Sequence, residues 1–540
     1  MSSVPQESSS SVEKVLIEKP WTIFPLLYFM QAMPVFIVQE VSTLVYKDLG
    51  IPNAEIAKWT SLIALPWSMQ FLLGPLVDFN STKRNWVLGG QLSVAIGLIL
   101  AAFSLGTKDA FAVSLAILMV TAISSALCNI ATDGFYIISL VQKQRTAMAP
   151  IQTTFFRLGR LAVVFGIAKG AGYCIEKKIF PPAQAWTYFL AGAAAFYLLG
   201  HMIMRLVTPR VETDQPRPET EPNQTKRNLS RTLGLVATGL GTYFALNSVV
   251  RIAAHGLWTA LGADPEGRWK GWMLSLPKEP EILRWGPIPA GNNPLMAEVI
   301  QFAVCAAIGL FSLQFFRKSV KGSEMETGLK TFFFQPGILP LLIFVLFYRF
   351  PEAMVGKMST LFYRDPVDAG GLALTTEMVA DVKGLFGVIG IIAGGLLGGA
   401  IVHKLGMKRA FWPVALAMHV PNILYLVATY NQQTFAGNIM LLRGVEVVDQ
   451  MGYGIGYAAY FVYLMSFAAK GKYQTTHYAI ASGLGALCIS LAGILGGIAQ
   501  SNFGWSGTFW FVMLLGIPAL WTLLIIPIEA DDSIKVEMDG

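Results

Sequence analysis

Charge is scarce in this sequence. Asp, Glu, Lys and Arg make up 14% of its 540 residues, against roughly 25% in an ordinary soluble domain. Cysteine and histidine are rarer still, at four and five. Cys128, Cys174, Cys305 and Cys488 lie far apart, in or at the ends of apolar runs. They form no CxxC pair and no metal-ligand spacing, and read as small buried residues. His201, His255, His403, His419 and His477 make no HxxxH or HExxH pair, and no Walker loop occurs. That pattern argues against a metalloenzyme and an ATP-driven pump and implies no cofactor. The one deep candidate for transferase chemistry, His419, has no acid beside it. A basic start followed by a short apolar core, the mark of a cleaved signal peptide, is missing from residues 1–20; these read as a cytoplasmic tail. The net charge of +7 is spread over short loops without interleaved aromatics, so nucleic acid is not the expected partner.

What the chain has in abundance is apolar surface: 54% hydrophobic residues and a mean hydropathy of +0.54. A helix crossing the hydrocarbon core needs about 20 mostly apolar residues. Fourteen such segments are expected, at 21–45, 55–79, 86–106, 110–140, 147–175, 184–208, 232–261, 295–316, 332–362, 372–402, 410–430, 436–467, 477–500 and 505–528. Alternate connections are basic: Lys83 and Arg84; Lys143 and Arg145; Lys226 and Arg227; Arg317, Lys318 and Lys321; Lys404, Lys408 and Arg409; Lys470 and Lys472. The positive-inside rule then puts both termini in the cytoplasm, as an even number of crossings requires. The NxS/T triplets at Asn80, Asn223 and Asn228 fall in these cytoplasmic connections and read as chance matches.

The expected organisation is an N-terminal six-helix half (21–208), a polar linker (209–231), two extra transmembrane helices (232–316), a second linker (317–331), a C-terminal six-helix half (332–528) and a cytoplasmic tail (529–540). The extra pair encloses the longest external loop, 262–294, with Trp269, Trp272 and Trp285 placed to anchor at the lipid interface. The halves share an internal echo. After the second segment the chain reads Gly74, three residues, Asp78, then Lys83 and Arg84; after the tenth it reads Gly399, three residues, His403, then Lys408 and Arg409. This resembles the loop signature of the major facilitator superfamily, with the second copy degenerate.

An ionisable side chain inside a bilayer costs about 2.5–3.5 kcal/mol at the centre on insertion scales and marks function by default. Asn129, Asp133 and Tyr136 share a face of 110–140; Arg157 and Arg160 lie in 147–175; Arg349, Glu352 and Lys357 in 332–362; Arg443, Glu446 and Asp449 in 436–467; and 21–45 carries Gln31, Gln39 and Glu40 beside Pro34. In the major facilitator fold the first and fourth helices of each half line the cavity, here 21–45, 110–140, 332–362 and 436–467. Several readings stand side by side. Arg157 either ties to Asp133 or faces the cavity, where it would grip a carboxylate or phosphate. Arg349 and Glu352 either neutralise each other or bind substrate. Lys357 and Arg443 read as snorkelling to an interface. Glu446 and Asp449, two close acids that resist double ionisation, are candidates for proton coupling, as is Asp133. Asn247, Arg251 and His255 read as an interfacial stripe; Glu377, Asp381 and Lys383 read as a solvated helix start, with a gate between the halves as the alternative.

The stretches Phe71–Asp78, Ala131-Thr-Asp133-Gly-Phe, Phe156-Arg157-Leu-Gly159, Phe347-Tyr-Arg349-Phe-Pro-Glu352 and Thr476-His-Tyr478-Ala-Ile-Ala-Ser482 resemble the AmpG-like muropeptide permeases, relatives of the acetyl-CoA transporters in the major facilitator superfamily. The resemblance implies an all-α integral membrane protein of the bacterial inner membrane, acting in peptidoglycan recycling. It would be a monomer in the lipid bilayer that imports a small molecule, the muropeptide, with protons. Asp133, Arg157, Arg349, Glu352 and Asp449 would be site residues. Departures are Gln70 where relatives have Lys, Asn129 where they have an acid, Cys488 where an Arg is familiar, and the extra helices between the halves rather than at the C-terminal end. Alternatives are a carrier or exporter of an acetyl-CoA-like or other anionic metabolite, and a non-transporting membrane sensor.

Overall fold

A computed structural model describes residues 17, 19–70, 73, 77, 81–215, 230, 234, 237–238, 294–321, 324–468 and 474–527. Outside them fall Gly74 and Asp78, the triplets at Asn80, Asn223 and Asn228, the stripe Asn247, Arg251 and His255, and the loop tryptophans. The described residues contain helices and no strand.

In chain order the helices are α1 (Pro20–Asp48), α2 (Asn53–Leu62, with a further turn at Leu65–Ser68), α3 (Lys83–Ser104), α4 (Ala110–Ser139) and α5 (Gln142–Arg160, running on through Leu161–Ile167 to Ala168–Glu176). They continue with α6 (Pro182–Val207), α7 (Pro294–Val320), α8 (Glu324–Phe333), α9 (Ile338–Arg364), α10 (376–405), α11 (407–430), α12 (Ile439–Ala468), α13 (474–503) and α14 (505–525).

The divisions α10/α11 and α13/α14 follow from length. The apolar helical run Thr376–Tyr430 has 55 residues, about 80 Å at 1.5 Å per residue, far more than a roughly 30 Å hydrocarbon core. It turns at Gly406 (φ 70°), and the 474–525 run turns at Gly504 (φ 65°). Only glycine takes this left-handed backbone freely, so each glycine ends one crossing and starts the next.

Lipid offers no hydrophobic drive to bring helices together, so close backbone packing at small residues must do it. The tightest seam joins α10 to α12. Gly390, Gly394 and Gly398, one turn apart, lie against the backbones of Val447, Met451 and Ile455, so that a Cβ on Gly394 would fall 2.0 Å from the Met451 carbonyl oxygen. Two of the contacts between the halves match. The second helix of each half packs on the fifth helix of the other: α2 on α13, and α10 on α5. On the first, a Cβ on Gly497 would be 2.9 Å from that of Ala57; on the second, a Cβ on Gly384 would be 2.7 Å from the Phe165 nitrogen. This exchange symmetry is that of two equivalent halves. Helix α7 presents Leu310 and Phe311 outward, while Gly234 approaches its Phe315. The 317–331 stretch, expected as linker, holds the end of α7 and most of α8.

Gly394→Ile should lower the midpoint of thermal unfolding in detergent by several degrees or abolish folding, since overpacking costs about 1–3 kcal/mol or more. Gly399→Ala, whose Cβ meets nothing within 4 Å on the same helix, should leave it unchanged. Thermal denaturation followed by tryptophan fluorescence checks both.

Candidate functional site: a charged cavity between the halves

A cavity of about 700 Å³ lies between the halves, in the range for small-molecule sites. Eight helices line it: α1, α2, α4 and α5 from one half, α9, α10, α12 and α13 from the other. Among the described residues, helix α7 contributes none to it. The expected four, the first and fourth of each half, are all present, joined by the second and fifth.

Backbone irregularities put the polar groups there. Helix α9 breaks at Tyr348 and Arg349, whose backbone (φ −97°, ψ −1°) precedes Pro351; proline removes a donor and disrupts the turn before it. Three wide turns of π-helix, at Ile37–Val41 in α1, Leu161–Ile167 in α5 and Ala380–Phe386 in α10, re-aim side chains within otherwise regular helices.

Of the residues expected to form the site, Asp133, Arg157, Arg160, Arg349 and Glu352 line the cavity. Arg160 is held by Glu40 in a two-bond pair, 2.9 and 3.1 Å. Asp133 accepts from the Tyr28 hydroxyl at 3.2 Å, and no Asp133–Arg157 ion pair forms. Arg349 and Glu352 do not neutralise each other by contact. The Arg349 guanidinium packs over Tyr453, Tyr457 and Tyr460, 4.6–5.7 Å from their centroids, and donates to the Tyr453 hydroxyl at 2.6 Å. Glu352 accepts from Asn422 at 2.7 Å, with His419 at 3.7 Å. Among the described residues neither Arg157 nor Arg349 has a carboxylate partner.

Four other site candidates stand behind the wall. Asn129 turns toward Trp67, whose indole N–H it accepts at 3.2 Å when its amide is suitably oriented. Tyr136 packs edge-on against Phe24 and Tyr28. Glu446 and Asp449 are buried in the C-terminal half. The backbone N–H groups of Lys83 and Arg84 donate to Asp214 at 2.6 and 2.9 Å, an acid at a helix N-terminus that its dipole favours.

Sequence reasoning missed two cavity lysines. Lys357, read as snorkelling to an interface, is half-buried and reaches from α9 to α1, donating to the Gln39 carbonyl (3.1 Å) and Thr43 hydroxyl (2.8 Å). Lys383, read as part of a solvated helix start, is 6% exposed and lines the cavity. Nor does Arg443 snorkel outward: it donates to Asp381 at 2.5 and 2.8 Å. Tyr453 and Tyr457, one turn apart and stacked at 5.7 Å, add an aromatic strip to the wall.

Beyond the cavity, at the α1/α2 and α9/α10 connections, a reciprocal clasp seals the halves together. Asp48 pairs with Arg364 and accepts from Thr376 at 2.8 Å and Trp186 at 2.9 Å. Asp365 pairs with Lys47 and accepts from Asn53 at 2.6 Å and Trp505 at 2.8 Å. Consecutive residues of each half thus exchange an acid and a base. Asp381 adds a third tie, to Lys169 at 3.5 Å. On the opposite side the cavity walls run toward the start of α5, at Gln152 and Thr153, and the later turns of α12, at Ala458 and Phe461. The cavity therefore extends toward the ends that carry Lys143 and Arg145 and is shut at the clasp.

Two quasi-equivalent halves around a charged cavity, each crossing the bilayer several times, define a multi-pass membrane protein with the major facilitator fold. The solved structures bear this out at the level of fold. A POT family transporter in complex with a thioalcohol-conjugated peptide superimposes with a TM-score of 0.58 at 13% identity, over 93% of this chain and 94% of that one. The xylose transporter XylE from E. coli gives 0.53 at 13%, over 94% and 99%. In sequence the chain resembles AmpG-named transporters: AmpG 4 of Rickettsia conorii, 24% identical over 202 residues (37% of this chain, 46% of that protein), and AmpG 1 of Rickettsia bellii, 28% identical over 187 residues (35% and 43%). The chain thus spans about half the length of the curated relatives it matches. No family model matches it. The named relatives and structural neighbours are transporters, not enzymes.

The clasp predicts its own test. Gly356 lines the cavity and its Cβ would meet nothing within 4 Å, so a cysteine there is tolerated as a reporter once Cys174 and Cys305 are replaced. Removing one partner of a buried pair costs about 3–5 kcal/mol. The double variant Lys47→Ala, Arg364→Ala should therefore react with an impermeant maleimide applied from the clasp side at least about tenfold faster than the single Gly356→Cys protein. An unchanged rate would mean the clasp is not the seal.

Proposed function

We propose that the protein is a secondary transporter of the bacterial inner membrane, with both termini cytoplasmic, that imports muropeptide together with protons and works as a monomer. The observation that carries this reading is the pair Arg157 and Arg349. One comes from each half, both face the same cavity, and neither has a carboxylate partner among the described residues. Guanidinium groups grip carboxylates through parallel hydrogen bonds, and a muropeptide carries carboxylates on its peptide. Its sugar rings have apolar faces suited to the Tyr453–Tyr457 strip. The Rickettsia relatives named as AmpG transporters support a transport role.

An anion held between an arginine of each half is bonded to both moving parts, as alternating access about a central site requires. The clasp faces the exterior and the cavity the cytoplasm if the basic loops are cytoplasmic, so the described conformation is inward-facing. Glu446, Asp449 and Asp133 are the proton candidates. A second reading, a carrier of an acetyl-CoA-like or other anionic metabolite, is favoured by the surplus of cations over acids in the wall: Arg157, Arg160, Arg349, Lys357 and Lys383 against Glu40, Asp133 and Glu352.

The test is uptake of radiolabelled N-acetylglucosaminyl-anhydro-muropeptide by proteoliposomes with and without an inward proton gradient. Wild type should accumulate it only with the gradient. Arg157→Ala and Arg349→Ala should each lose more than about tenfold in uptake, as for a charged hydrogen bond of roughly 1.5–3 kcal/mol, and Asp449→Asn should lose the gradient dependence. Uptake of a CoA thioester instead of muropeptide would select the second reading.

A further inference from the structure

Among the cavity cations, Lys383 alone contacts an acid that lies outside the cavity. Arg160 is paired with Glu40 within the wall, and Lys357 bonds to neutral oxygens. The Lys383 ammonium donates to the Ser359 hydroxyl at 2.6 Å and stands 3.7 Å from Glu446. Glu446 is fully buried. One of its oxygens accepts from the phenols of Tyr363 (3.2 Å) and Tyr425 (3.3 Å), while the oxygen facing Lys383 has no hydrogen bond. The groups around Glu446 are thus Tyr363 from α9, Lys383 from α10, Tyr425 from α11 and, one turn on in α12 itself, Asp449. The charge of Arg160 on α5 also acts on it. Asp449 accepts from Gln450 at 2.9 Å, and Gln450 lines the cavity.

We propose that Lys383 is a substrate-binding cation whose availability is set by the proton on Glu446; this rests on the proton-coupled anion reading above. With Glu446 ionised, the Lys383 charge is neutralised from behind the wall and the cavity attracts an anion less. When the carboxylate takes up a proton, no bond to Lys383 is required and the ammonium keeps its own protons. Its charge is then uncompensated and faces the cavity. An anion bound there in turn favours the protonated acid by the same factor, because linkage between two binding sites is reciprocal. Solute and proton therefore load together, and release of either loosens the other. The lysine lies within the π-helical turns of α10 that abut those of α5 across the halves, so its change of partner occurs where the halves move against each other.

The experiment uses the full-length protein in nanodiscs and proteoliposomes, with the same anhydro-muropeptide as probe. By infrared difference spectroscopy during a pH titration, the carboxylic acid band that Glu446→Gln abolishes should appear at higher pH in Lys383→Met than in wild type, because the carboxylate has lost its neighbouring cation. Wild-type probe affinity should fall by about tenfold as that band disappears on raising the pH, within the usual 5–150-fold range of site coupling. Lys383→Met should bind weakly at every pH, and Lys383→Arg should retain pH-dependent binding. Glu446→Gln should still exchange probe across the membrane, independently of pH, but lose gradient-driven accumulation. An infrared band indifferent to Lys383→Met, or pH-dependent exchange surviving in Glu446→Gln, would overturn the proposal. If wild type takes up no muropeptide, the substrate reading fails, and the infrared comparison still decides whether Glu446 and Lys383 are coupled.

Discussion

A charge in hydrocarbon must be paired, or face water, and this constraint organises the protein more than any other. Glu40 and Arg160 answer it with a two-bond pair inside the cavity wall; Asp48, Arg364, Lys47 and Asp365 answer it with a clasp between halves; Arg157 and Arg349 answer it by facing the cavity. Each solution also determines mobility. A pair within one half is structural. A pair across the halves joins them, and a cation that faces the cavity stays accessible to its contents.

Packing sets which parts hold together. The glycine seam of α10 on α12 fuses helices within the C-terminal half. Between halves, α2 packs on α13 and α5 on α10, with the clasp and the Lys357 bonds joining α1 to α9.

The helical fold was legible because lipid tolerates so few sequences. Apolar runs of the required length, basic loops on alternate sides and an echo between halves pointed to the major facilitator type, and the breaks expected between 402 and 410 and between 500 and 505 coincide with turns at Gly406 and Gly504. The deep charges were legible for the same reason: Asp133, Arg157, Arg160, Arg349 and Glu352 stand out against apolar neighbours. Lys47, Asp48, Arg364 and Asp365 did not, since a charge at the end of a segment looks like an ordinary interfacial one and its partner is more than 300 residues away. Lys357 and Lys383 were misread likewise. Which face of a helix turns to the cavity depends on the π-helical turns and on the break at Arg349, and no periodicity in the sequence marks those.

The central claim is that the halves alternate about a cavity that takes an anion. The most direct measurement is the distance between spin labels on Lys177 and Asp368, both exposed on the clasp side, in a chain whose four cysteines have been replaced. Pulsed electron paramagnetic resonance should give one short distance without ligand. Adding anhydro-muropeptide at low pH should bring in a second, longer population as the clasp opens. A single unchanged distance with the probe demonstrably bound would contradict the account.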